Sequence, residues 1–191
     1  CNDYEMNKFN SYEIEFHKFT LNYKNYDEDK YLNLLKNIFE NGDERQTRNS
    51  ITKSIFGERL SFNLKEGFPL LTTKKMFLRG IFEELMFYLS GKTNNKILNS
   101  KNVNIWNDNT SREFLDKRGL TNYEEGDMGE TYGFNFRHYG AEYLGCSHDY
   151  SGIGYDQLQN VINLIKNDPT SRRIIINLWN PSTLDKAALP S

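Results

Sequence analysis

Phe77-Leu78-Arg79-Gly80-Ile81-Phe82-Glu83-Glu84-Leu85-Met86-Phe87-Tyr88-Leu89-Ser90-Gly91 is the most strongly patterned stretch of the chain. Its apolar side chains at 77, 78, 81, 82, 85, 86 and 89 recur at helical spacing, and Gly91 follows as a stop. A helix is therefore expected over residues 77–90, with a broad apolar stripe turned to a core. Glu84 falls on one face with Phe77, Ile81 and Tyr88, whereas Glu83 is expected to pair with Arg79 one turn away, exposed. A carboxylate on an apolar stripe needs a specific partner. Glu84 reads either as a proton donor or relay working near neutral pH, or as a helix-end glutamate hydrogen-bonded to a neighbouring loop.

Working outward, helical character continues over residues 94–98, and Val103-Asn104-Ile105 is a short β-like run ending at Trp106. Residues 107–155 are rich in Gly, Asn, Asp and Tyr, which predicts long loops around short helices, 111–117 being the clearest. Leu158, Val161, Ile162 and Ile165 mark a further helix closed by Asn167-Asp168-Pro169, and the run Ile174-Ile175-Ile176 predicts a buried strand over 173–179. Upstream, residues 51–64 alternate as strands turning at Gly57-Glu58. From Asp27 a helix is expected, with Tyr31, Leu34, Leu35 and Ile38 on one face, acids in its first turn and Gly42 as its stop. Residues 1–26 differ: Tyr12, Ile14 and Phe16 alternate with polar residues, then Phe19, Leu21 and Tyr23 on the shifted phase, as in a bulged strand or a two-strand piece.

The 191 residues carry 24 basic and 26 acidic side chains, a net charge of −2. No general field for nucleic acid results, so anion binding must come from local arginine clusters, and a duplex-DNA reader is not expected. No run approaches the roughly 18 apolar residues of a membrane span, and the polar N-terminal stretch lacks a signal-peptide core, which predicts a cytoplasmic protein without membrane partners. Cys1 and Cys146 are too few for a disulfide framework or a zinc site; Cys146, in Gly145-Cys146-Ser147-His148, reads as a loop thiol, and no metal is expected. Trp106 reads as a core tryptophan or as the wall of a flat heterocycle. Arg172-Arg173, after a turn and entering a strand, read as a solvated edge or as paired phosphate ligands.

Several motifs recur in one order: Phe68-Pro69-Leu70-Leu71-Thr72-Thr73-Lys74-Lys75, Glu83-Glu84-Leu85, Ile105-Trp106, Tyr132-Gly133-Phe134, Arg137-His138, Gly140-Ala141-Glu142-Tyr143, Asp168-Pro169-Thr170-Ser171-Arg172-Arg173, and Trp179-Asn180 with Ala188-Leu189-Pro190-Ser191. From about residue 30 to 191 the chain resembles the thymidylate synthases. The resemblance implies an α/β fold, a mixed sheet with packed helices, incomplete at the C-terminus, over residues 27–191. Residues 1–26 would be a linker or the last strand of a preceding dihydrofolate reductase, as in the fused bifunctional enzymes, or an unrelated extension.

The implied reaction is reductive methylation of dUMP to dTMP with 5,10-methylenetetrahydrofolate as co-substrate; NADPH would enter only with a reductase domain. Glu84 falls on the glutamate that organises water and protons, Tyr132 on a tyrosine of the active-site hydrogen-bond network. Arg48 looks like the dUMP phosphate arginine of the same subunit, and Arg172 and Arg173 those that reach the partner's nucleotide in a homodimer with shared sites. Ile105, Trp106 and Asn109 would wall the folate site, and Lys74 would contact the folate's glutamate tail. The sequence departs from the family at Thr47-Arg48-Asn49-Ser50, where Arg45 is a candidate substitute, at Met128-Gly129-Glu130 and at Asn135-Phe136-Arg137. The chain ends where the family continues into Cys-His, so the next residue is expected to be the nucleophilic cysteine and these 191 residues alone are expected to be inactive. Two alternatives remain: a dCMP or dUMP hydroxymethylase of the same fold, and a noncatalytic nucleotide-binding or dimerisation fragment.

Overall fold

The computed structural model describes residues 25–47, 50–65 and 67–189. The strand pattern of residues 12–23 and the expected phosphate ligand Arg48 lie outside them. The chain divides into two compact units, one ending at Met76 and one beginning at Phe77.

The first unit is built on α1 (Tyr26–Asn41). Its start is set by Asn25, whose side chain accepts from the Glu28 N–H, with Asp27, Glu28 and Asp29 in the first turn; its end is set by Gly42, which donates to the Ile38 carbonyl at 2.9 Å. Strands β1 (Asp43–Gln46) and β2 (Ile51–Ser54) pair antiparallel, Asp43 opposite Ser54 and Gln46 opposite Ile51. This corrects the expectation of strands over residues 51–64 turning at Gly57-Glu58. β2 pairs backward with four polar residues, and between Ser54 and Phe77 the described residues form no regular structure, with Phe56, Leu60, Phe62 and Leu64 exposed.

Glu28 ties this unit together. Its buried carboxylate accepts from the Thr72 N–H at 2.6 Å, the Thr72 hydroxyl at 2.5 Å and the Thr73 N–H at 2.5 Å, while the Asn25 side chain donates to the Leu70 carbonyl at 3.1 Å. The Thr72 hydroxyl foremost, helped by the two backbone donors and opposed by burial, holds the Glu28 carboxyl below the ordinary carboxylate range.

The second unit contains α2 (Leu78–Leu89), α3 (Lys96–Asn99), α4 (Arg112–Lys117), α5 (Tyr132–Arg137) and α6 (Gln157–Asn167), with 3-10 turns at Asp108–Thr110 and Pro181–Lys186. Ser111 and Asp156 cap α4 and α6 through their side-chain oxygens. Gly91, at φ +75°, turns the chain after α2, a conformation other residues adopt at a cost. Phe87, Leu98, Val103 and Met128 form the central apolar cluster, with Tyr88 and Trp106 packed against it. Met128 joins three segments: its N–H donates to the Thr93 carbonyl at 2.9 Å, and its carbonyl accepts from the Ala188 N–H at 3.0 Å. Beside it Asp127 is fully buried, accepting from the Tyr143 hydroxyl, the Gly129 N–H and the Cys146 N–H; burial pushes its carboxyl up, against those three donors.

Three expectations are corrected here. The stripe of α2 is not its buried face: Phe77, Ile81, Phe82, Leu85 and Met86 are about half exposed, while Gly80 and Phe87 are buried and Glu84 and Tyr88 half-buried. The side that carries Gly80, Glu84 and Phe87 is the one turned inward within this unit, where α2 packs on α3 and α5. Glu83 pairs with Lys101 at 2.5 Å rather than with Arg79, which instead donates to the carbonyls of Lys101 and Asn102. The isoleucine run at 174–176 forms no strand and leaves Ile175 64% exposed, because no neighbouring strand pairs with it among the described residues. The α/β class stands, with its sheet confined among the described residues to the β1–β2 hairpin.

Candidate active site

Glu84 and Tyr88 lie one turn apart on α2, so their side chains share a face. Trp106 reaches them from a loop anchored by fully buried Val103, whose N–H donates to the Leu98 carbonyl at 3.0 Å; the Trp106 carbonyl in turn accepts from the buried Thr110 hydroxyl at 2.9 Å. Tyr132 opens α5 and Phe136 follows one turn later. Leu178 belongs to an extended segment held by Gln157, which donates to the Asn177 carbonyl and accepts from the Asn177 N–H, each at 2.8 Å. Asn135 adds a bond to the Leu178 carbonyl at 3.3 Å.

These six residues, Glu84, Tyr88, Trp106, Tyr132, Phe136 and Leu178, line a cavity of about 340 Å³. Its one carboxylic acid is Glu84, whose Oε1 accepts from the Trp106 indole N–H at 2.6 Å and the Tyr88 hydroxyl at 2.9 Å. Tyr88 is a firm donor. Burial, reinforced by the neighbouring Glu84 charge, pushes its hydroxyl far above the ordinary tyrosine range. The Tyr88 and Tyr132 rings meet at 5.1 Å between centroids. Chemically, the cavity offers apolar and aromatic walls to a flat ring and a single fixed carboxylate to one polar edge of it.

Of the residues singled out from the sequence, the structure thus brings Glu84, Trp106 and Tyr132 together. Glu84 is hydrogen-bonded to a neighbouring loop, through Trp106, and it lines a cavity. Ile105, half exposed, and Asn109, half-buried in its 3-10 turn, flank Trp106 in the chain without lining the cavity. Arg172 and Arg173 stand exposed on the turn after α6, and Lys74 is exposed in the first unit. Tyr88, Phe136 and Leu178 were missed as site residues. The first two were within reach, since each follows a singled-out residue by four positions in a helix.

A second, polar cleft of about 640 Å³ is lined by Lys92, Arg137, His138, Cys146 and His148 among others. Burial first, then the charge of Asp127, pushes the Cys146 thiol up to about 11, which makes it a poor nucleophile. Two departures noted in the sequence sit next to the site. Glu130 is buried, which pushes its carboxyl up against the opposing charge of Lys186. Asn135 is buried too, its amide spanning the Glu130 and Leu178 carbonyls. Among the described residues, no group of three or more His, Cys, Asp and Glu side chains could hold a metal, and no helix is long and apolar enough to cross a membrane.

Comparison with known proteins identifies the family of the chain. The family model described as thymidylate synthase matches residues 29–191. A bifunctional dihydrofolate reductase-thymidylate synthase of Zea mays is 51% identical over 169 residues, 88% of this chain and 32% of that protein. The one of Daucus carota is 54% identical over 169 residues, again 88% and 32%, and the one of Plasmodium berghei 51% identical over 172 residues, 90% and 29%. The chain thus spans about a third of the length of the curated relatives it matches.

Proposed function

Because this chain belongs to the thymidylate synthase family, we propose that it serves the reductive methylation of dUMP to dTMP, with 5,10-methylenetetrahydrofolate converted to dihydrofolate. The observation that carries this reading is the convergence of Glu84, Trp106 and Tyr132, separated by up to 48 residues in sequence, on one aromatic-walled cavity. The residues present suit both ring systems, since Trp106, Tyr132, Phe136 and Leu178 offer stacking and apolar surface and Glu84 an acceptor at one edge. Bound methylenetetrahydrofolate supplies the one-carbon unit and the hydride.

The chain's own residues hold and protonate. Glu84, fixed through Oε1, exchanges protons with the polar edge of the pyrimidine, directly or through ordered water, while the aromatic walls exclude bulk solvent and orient the ring. Tyr132 works in the same hydrogen-bonded network. Arg48, and Arg172 and Arg173 from a partner subunit, bind the nucleotide phosphate as charge-assisted donors in a homodimer. Ile105 and Asn109 add to the folate wall, and Lys74 meets the folate's anionic tail. The reading includes a cytoplasmic setting and a fused dihydrofolate reductase domain, an activity that the names of the relatives give for those proteins, with NADPH entering only with that domain. Addition to the pyrimidine ring requires a thiolate, and Cys146, half-buried with its thiol pushed up to about 11 and lining the other cleft, is not it.

Tritium release from 5-tritiated dUMP in the presence of methylenetetrahydrofolate tests the proposal. The full-length gene product is expected to release tritium to water, and no release above background overturns the reading. The 191 residues alone are expected to release none; turnover by them would make Cys146 the candidate nucleophile.

A further inference from the structure

Glu84 receives both of its hydrogen bonds on one oxygen: the Tyr88 hydroxyl donates to Oε1 at 2.9 Å and the Trp106 indole N–H to the same atom at 2.6 Å. Among the described residues Oε2 accepts none. Tyr88 is itself held, its ring 5.5 Å from that of Phe87 and 5.1 Å from that of Tyr132, both tilted. The hydroxyl is therefore delivered to Glu84 by a ring with little freedom to turn. For packing alone a phenylalanine would serve at this position, and a half-buried hydroxyl must find an acceptor or lose its hydration uncompensated. Its acceptor is Glu84.

We propose that Tyr88 is a positioning residue for Glu84: with Trp106 it saturates Oε1, fixes the plane of the carboxylate, and reserves Oε2 for the proton or water exchanged with the ligand. Turning the carboxylate out of this plane breaks both bonds at once. Each donor alone leaves a torsional freedom that the pair removes, since Tyr88 reaches Oε1 from the same helix and Trp106 from a loop 22 residues away in sequence. The inference rests on the reading of Glu84 as the group that handles protons in the cavity, and it adds a residue to which that reading gave no part.

The test is Tyr88→Phe in the full-length gene product, which removes one oxygen and keeps the ring. Its kcat is expected to fall about tenfold, the scale of one hydrogen bond to a charged group, with the Kd for dUMP changed less than about twofold. In a Glu84→Gln background the same substitution is expected to change kcat less than about twofold, because the proton exchange that Tyr88 supports is already gone. A second readout does not depend on activity. The indole N–H resonance of Trp106 in tryptophan-labelled protein, assigned by its loss in Trp106→Phe, is expected to shift in Tyr88→Phe, because its acceptor loses a competing donor, and to shift less when Glu84 is Gln, whose neutral amide oxygen accepts more weakly than a carboxylate. An unmoved resonance in Tyr88→Phe overturns the proposal, as does an unchanged kcat in an enzyme that Glu84→Gln impairs. If tritium release fails altogether the proposed reaction falls, and the resonance still decides whether Tyr88 holds Glu84.

Discussion

Glu28 on α1 and Glu84 on α2 are both helical glutamates withdrawn from solvent, and their surroundings give them opposite roles. Glu28 takes bonds from two backbone N–H groups and a hydroxyl of a loop 44 and 45 residues away in sequence, and a longer one from the Asn25 amide at 3.5 Å, on both of its oxygens, and it lines no cavity described above. Glu84 takes two bonds, both from the ends of aromatic side chains and both on one oxygen, and it lines a cavity of about 340 Å³. A carboxylate whose acceptor capacity is used up is a fastener, because protonating it breaks the bonds that hold the loop. A carboxylate with one oxygen pinned and the other open can gain or lose a proton while its position is kept. Which oxygens are occupied separates the two more sharply than burial does.

The largest effect that would break this comparison is on turnover. Glu84→Gln keeps the shape and an acceptor oxygen for Trp106 and Tyr88 but cannot exchange a proton; it is expected to lower the rate of tritium release by about 10² or more, with dUMP binding within about tenfold. A near-normal rate would make Glu84 a second fastener. The converse substitution, Glu28→Gln, is expected to leave the turnover of folded protein unchanged and to lower stability at neutral pH by about 1.5–3 kcal/mol, since hydrogen bonds to a charged, buried acceptor are lost. The Glu28 carboxyl titrates lower when folded than its ordinary value of 4.5, so its stabilisation is present above that value and is lost as the pH falls through the lower, folded one. Denaturant unfolding of wild type and Glu28→Gln is therefore expected to differ at pH 7 and to converge in acid. A constant difference would deny the charge its role.

The same contrast shows what was legible in the sequence. The helices α1, α4 and α6 were legible from local signals, such as the first-turn acids and Gly42 stop of α1 and the Asn167-Asp168-Pro169 stop of α6, and the structure adds Asn25, Ser111 and Asp156 as their side-chain caps. β1 was not, because its residues are all polar and exposed and show no alternation. The isoleucine run at 174–176 misled because an apolar run states only a wish for burial, and a strand forms only where another lies beside it. At the site, Glu84, Trp106 and Tyr132 were found through motifs and resemblance, while Leu178 depends on the clamp by Gln157, a contact across 20 residues that no local pattern announces. Glu28 read as an ordinary first-turn acid for the same reason. Its partners Thr72 and Thr73 lie on a loop whose sequence gives no hint of its destination.

The smallest expected effect sharpens the account of Glu28. Thr72→Val removes the hydroxyl that does most to hold the Glu28 carboxyl low, while the backbone N–H groups of residues 72 and 73 still bond to it. Thr72 is exposed, so water can replace part of what is lost, and the destabilisation at pH 7 is expected to be about 1 kcal/mol, less than that of Glu28→Gln. The direction of the pH effect is the stronger test. With one donor gone, the folded Glu28 carboxyl moves back up toward 4.5, so the loss of stability on acidification is expected to begin at a higher pH than in wild type. In the Glu28→Gln background the same threonine substitution is expected to cost less and to leave the acid limb where it was. Equal costs in both backgrounds, measured by denaturant unfolding across pH 3 to 7, would mean that the hydroxyl supports the loop by some route other than the charge, and Glu28 would then differ from Glu84 in location alone.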